Sequence, residues 1–196
     1  MRYCCFDPAI NNEYTLLQLQ QAYPVHRFLL EGTKDEKLWD AAPWLFVIND
    51  NPFQRLQQQP LISLDHCLFL ESPDPPELLA AHLQAFIYKT IDGKEHFFRI
   101  WDARVMNRYL NNASGEELFR LFGDSLTSIC TAGDDATSFT CRTLNKQHRT
   151  VNKTITAAEL FNGQPDQHPE QPATEPPPQE EQTEATKTPR RRFFLD

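Results

Sequence analysis

The chain has 196 residues, 40% of them hydrophobic and 11% aromatic, enough for one domain with a real core. Its 19 lysines and arginines against 27 aspartates and glutamates leave a net charge of -8, which argues against nucleic acid as a ligand and for protein partners. No run approaches the roughly 18 apolar residues of a membrane span, and the opening MRYCCFDPAI lacks the charged-then-apolar layout of a secretory leader.

In chain order, RYCCF reads as a short apolar strand. NNEYTLLQLQQAYP reads as a helix that Asn11 or Asn12 caps, with Leu16, Leu19 and Tyr23 on one face and Pro24 as its stop. VHRFLL is the next strand, closed by Gly32, and LWDAA makes a turn of helix before Pro43. WLFVI is almost wholly apolar, as a strand covered on both faces would be. DNPFQRLQQQ begins a helix with Pro52 in its first turn, and HCLFL is a fourth strand. DPPELLAAHLQAF carries a capping box from Asp74 to Glu77. Strands alternating with helices predict an α/β layer arrangement.

AFIYKTI and KEHFFRIW flank Asp92-Gly93, a two-residue hairpin turn that sets Ile91 opposite Lys94, Tyr88 opposite Phe97 and Phe86 opposite Arg99. Both faces of this hairpin are apolar, which predicts a place inside the sheet. ARVMNRYLN follows as a helix, then SGEELFRLFG with a second capping box at Ser114 and Glu117 and Gly123 as its end. LTSIC and SFTCRTL are weaker strands, and TITAAELFNG reads as a last short helix. The expected fold is therefore α/β, a mixed sheet with flanking helices, a helical lobe after the central hairpin and a disordered proline-rich C-terminal tail.

That tail, 163–196, holds seven of the 15 prolines and, from Gly163 to Lys187, no leucine, isoleucine, valine or aromatic residue. Such a stretch cannot bury enough surface to offset its ordering entropy. It ends in RRRFFLD, where Arg190, Arg191, Arg192, Phe193, Phe194 and Leu195 have the composition of a tethered docking peptide, or of a ragged terminus. The division expected is a main domain over 1–125, an extension of the fold over 126–162 and the tail.

HFFRIWDARV, His96 to Val105, places Arg99 and Arg104 around Asp102 in an otherwise apolar run. A guanidinium among rings needs a carboxylate, because an unpaired buried charge is very costly. Asp102 is the nearest in sequence and stands where a helix starts, so it is expected to cap that helix and hold Arg99 or Arg104. Phe97, Trp101 and Tyr88 complete the expected cluster, read either as a strand-to-helix clasp or as a partner-binding site.

The same residues carry a resemblance. Phe98, Arg99, Trp101, Asp102, Arg104 and Val105, ahead of an apolar helix, resemble the core signature of the type VI secretion effector chaperones, or adaptors, first catalogued as a domain of unknown function. FDPA, PWLFVI, CLFLES and AHL follow in the family's order, over about residues 1 to 125; Ala103 stands where the family often has proline. The resemblance implies a cytoplasmic, non-enzymatic protein that binds one toxic effector and helps load it onto the VgrG spike.

Other chemistry finds little purchase. His66 and Cys67 are neighbours on a strand and point to opposite faces, so they do not form a nucleophile–base pair with each other. A cysteine hydrolase using Cys67 and a histidine from elsewhere is the enzymatic alternative, and a permanent structural subunit the other. No C-x-x-C, H-x-x-x-H or glycine-rich phosphate loop occurs, so no metal and no cofactor is expected. An odd number of irregularly spaced cysteines (Cys4, Cys5, Cys67, Cys130 and Cys141) predicts reduced thiols.

Overall fold

The computed structural model describes residues 1–39, 41–56, 63–132 and 138–161. They lie in the first of two units, Met1–Asp166; the second is Gln167–Asp196. The tail and its expected docking residues fall outside the described residues.

Seven strands form one sheet. They are β1 (Arg2–Phe6), β2 (His26–Phe28), β3 (Trp44–Ile48), β4 (Leu68–Glu71), β7 (Ser128–Ala132), β8 (Ser138–Leu144) and β9 (Thr150–Thr156). Their order is β2-β3-β1-β4-β7-β8-β9. The α/β class is as the sequence predicts, but every ladder is antiparallel rather than mixed. The two central strands, β1 and β4, are buried on both faces, which is why they read as unbroken apolar runs.

Alternation along β1 splits the core in two. Tyr3 and Cys5 point to one side, with Leu70, Ile129 and the helices α3 (Pro76–Gln84), α4 (Ala103–Asn112) and α5 (Gly115–Phe122). Cys4 and Phe6 point to the other, with α1 (Glu13–Ala22), α2 (Pro52–Leu56) and α6 (Ala157–Phe161). Phe69, Phe139 and Phe161 meet there edge-to-face, at centroid separations of 5.2–5.6 Å.

Local chemistry explains several helix ends. Asn12 accepts the Thr15 amide at 2.7 Å and starts α1. Ser114 and Glu117 form the expected reciprocal capping box, and Gly123 ends α5 with φ +48°. At α3 the start is one residue later than expected: Pro75 is the N-cap, with no side-chain capping bond. Glu77 is drawn instead to Arg27 of β2. A 3₁₀ turn forms at Glu36–Leu38, beginning two residues ahead of the LWDAA stretch where a turn of helix was expected.

Three further expectations are corrected. The hairpin β5 (Tyr88–Ile91) and β6 (Lys94–Phe97) has the expected register, Tyr88 with Phe97 and Ile91 with Lys94, but forms a separate two-stranded ribbon. β1 and β7 already occupy both edges of β4, so no interior slot is left, and β6 is exposed throughout. Thr154 to Thr156, assigned to a helix from sequence, close the strand β9, whose threonines and Ile155 suit a strand. Finally, Cys130 and Cys141, directly opposed on β7 and β8, are joined in a disulfide, against the expectation of five reduced thiols. Cys4, Cys5 and Cys67 are free and buried.

Candidate functional site

The apolar run that holds the arginines leaves the hairpin before Arg99. β6 ends at Phe97, and Phe98 to Asp102 turn back on themselves, with the Ile100 amide donating to the Phe98 carbonyl and the Asp102 amide to the Arg99 carbonyl. Arg99 is therefore not a strand residue facing Phe86, as expected. Its carboxylate is not Asp102 either. Arg99 Nη2 donates to Asp7 Oδ2 at 2.6 Å, across 92 residues of chain.

Asp7 follows β1 in FDPA and is 5% exposed. Its Oδ1 accepts the Ala9 amide at 2.9 Å, a local turn that Pro8 favours. Its Oδ2 accepts from both Arg99 and Trp101 Nε1, the latter at 2.7 Å. One carboxylate thus closes the β1 turn and fastens it to the segment entering α4. The Ala103 amide adds a second tie, donating to the carbonyl of His66, which sits at φ +56°.

Asp102 does what was expected of it toward the helix. Its Oδ1 accepts the Arg104 amide at 2.9 Å as the N-cap of α4, and its carboxylate takes Arg104 Nε and Nη2 at 3.0 and 2.8 Å. Burial pushes this carboxyl up, but the hydrogen bonds from Arg104 and the charges of Arg104 and Arg99 outweigh it and hold the group below its ordinary value. Tyr88, Phe97 and Trp101 form a ladder of edge-to-face rings at 5.7 and 5.4 Å. Phe97 is 46% exposed. The Tyr88 hydroxyl donates to Asp35 Oδ2 at 2.7 Å. The structure thus brings Arg99, Trp101, Phe97 and Tyr88 into one chain of contacts and turns Arg104 outward from the adjoining cap.

Arg104 points toward a groove of about 510 Å³ on the outer face of α4. Phe98, Val105, Tyr109 and Ala113 form its apolar floor; Arg104, Arg108, Asn112 and Glu117 form its rim. The Phe98 and Tyr109 rings tilt together at 5.3 Å. Lys89 of β5 holds its Nζ 4.9 Å from one ring centroid and 4.7 Å from the other. Arg108 is exposed and has no ion pair among the described residues. Glu117 is committed to the cap of α5: Ser114 donates to it through both amide and hydroxyl, which holds its carboxyl below the usual range. Sequence reasoning missed Asp7, Lys89, Arg108 and Tyr109. The i, i+4 spacing of Arg104 and Arg108 was the one local signal for the groove.

Cys67 is 2% exposed. Its partner is Cys4, whose thiol is pushed well up by the hydrogen bond with Cys67 and then by burial. Among the described residues no group of His, Cys, Asp and Glu is arranged to hold a metal ion, and no helix is long and apolar enough to cross a membrane.

The family model described as a domain of unknown function, DUF4123, matches residues 3–120. The chain belongs to this family. The family is associated with adaptors for type VI secretion effectors. No curated protein and no solved structure matches the chain. The DUF4123 match takes in the Asp7 turn, the hairpin, Arg99 to Arg104 and all of α4, and it ends inside α5.

Proposed function

We propose that this protein is a non-enzymatic adaptor that holds a toxic type VI secretion effector in the cytoplasm of the producing cell and helps load it onto the VgrG spike. The reading is carried by the DUF4123 match, over residues that include both the Asp7 junction and the groove. The geometry supports it in kind. A rigid junction fixes the entry to α4, and α4 presents an aromatic-floored groove with a charged rim, the composition that anchors protein interfaces. Action by binding alone is also favoured over the hydrolase alternative, because Cys67 is enclosed in the core and shielded from a substrate. The Cys130–Cys141 bond pulls the other way on compartment, since disulfides are uncommon in a reducing cytoplasm.

Deleting the gene tests the proposal. Export of a single toxin should stop while the spike continues to be exported, and the adaptor should co-purify with that toxin from the producing cell. Unchanged export of every toxin would overturn it. The VgrG step is read separately, by asking whether adaptor and spike co-elute only when the toxin is present.

A further inference from the structure

We propose that the groove beside α4 receives an acidic segment of the partner protein, one that carries an aromatic or branched aliphatic side chain among its carboxylates; this rests on the adaptor reading above and names the chemistry of its contact. Two of the residues lining the groove, Arg104 and Arg108, are cations, and a third cation flanks it. Lys89 stands over the rings of Phe98 and Tyr109, and Arg108 is exposed without an ion pair among the described residues. Arg104 gives Nε and Nη2 to Asp102 and keeps Nη1 for another acceptor. The single carboxylate on the rim, Glu117, is hydrogen-bonded by Ser114 and keeps its negative charge, so the cations outnumber it.

This concentration of positive charge occurs on a chain whose net charge is -8, so it is not a by-product of a basic composition. The same net charge argues for a short acidic peptide over a long polyanion. Carboxylates inserted locally meet three cations against the one rim carboxylate of Glu117, whereas an extended duplex or an anionic bilayer also meets the surrounding negative field. The floor sets the second requirement. Phe98 and Tyr109 offer apolar ring surface beneath the cations, and a volume of about 510 Å³ leaves room for a side chain to lie over it. A purely polar acidic peptide would leave that surface wet.

The test uses the full-length chain and a fluorescein-labelled synthetic peptide in which glutamates flank phenylalanine, read by fluorescence anisotropy. Two control peptides replace glutamate by glutamine or phenylalanine by alanine. Binding should weaken at least about tenfold in the Lys89→Glu/Arg108→Glu double variant and with either control peptide, and it should fall as salt is raised. No binding, equal binding by the double variant, or equal binding of the glutamine peptide would overturn the proposal. Preferential binding of duplex DNA or phosphatidylserine vesicles through the same residues would also overturn it. If Lys89→Glu lowers the thermal midpoint, Arg108→Glu alone carries the test, since its side chain is exposed. Retention of the exported toxin, measured in parallel, separates the two ideas. Toxin held equally by wild type and double variant sinks the groove assignment and leaves the adaptor reading standing. Peptide binding without toxin retention does the reverse.

Discussion

The Asp7 junction and the α4 groove share the segment from Phe98 to Arg104, yet they treat positive charge in opposite ways. At the junction the guanidinium of Arg99 has a carboxylate that is 5% exposed, and that carboxylate is also bonded to an indole. At the groove the cation at position 108 is left open to solvent over an aromatic floor. The first arrangement fixes geometry, because removing the Asp7 carboxylate leaves the buried indole of Trp101 without its partner. The second is free to exchange water for a ligand. A half-buried ion pair and an exposed cation are therefore different instruments, even when one short stretch of chain supplies both.

Breaking the junction should have the largest effect. Asp7→Ala orphans Trp101 Nε1 and leaves Arg99 unpaired; with Arg99 39% exposed, the cost is about 3 kcal/mol, read as a lower urea midpoint. Asp7→Asn, which keeps an acceptor, should cost clearly less. Reducing the Cys130–Cys141 bond, whose partners are 11 residues apart, should cost somewhat under 3 kcal/mol by loop entropy, roughly. Alkylation and mass spectrometry on protein taken from the producing cell tell whether the bond exists there. Asp102→Ala removes the α4 cap and should cost about 1–2 kcal/mol.

Acid sharpens the same contrast. Asp102 is held below its ordinary value of 3.8 in the folded protein, so its stabilisation is complete above that value and is lost as pH falls through the folded pKa. Unfolding free energy should therefore decline below about pH 3.8, and Asp102→Asn should flatten that part of the curve. The smallest effect on stability belongs to the groove. Arg108→Glu should change the unfolding free energy by less than about 0.5 kcal/mol while weakening peptide binding. A large loss of stability there would erase the distinction between the two regions.

Local features of the chain were legible from sequence wherever short-range chemistry decides them. The Ser114 capping box, the Asp92-Gly93 register and the N-cap role of Asp102 all rest on residues within a few positions of one another. The sequence failed where partners are remote. Asp7 and Arg99 lie 92 residues apart, and nothing near either names the other; the nearby carboxylate of Asp102 was the wrong choice for Arg99 because the helix cap already claims it. The hairpin was misplaced for a related reason. Its apolar residues looked fit for a sheet interior, but only the strand order reveals that β1 and β7 fill the places beside β4. Lys89 and Arg108 reach the same groove from a hairpin and a helix, a meeting that periodicity within either element does not show.

The strand order also sets a practical limit on how the gene is cut. The family match stops at residue 120, but β4 takes its second neighbour, β7, from Ser128–Ala132. Trimming to the homology boundary would strip that neighbour away and leave Leu68–Glu71 with unmet main-chain donors and acceptors, a template for self-association. Fragments made to map binding should therefore run at least through Phe161, and clumping of shorter ones would report a torn sheet rather than a lost recognition surface.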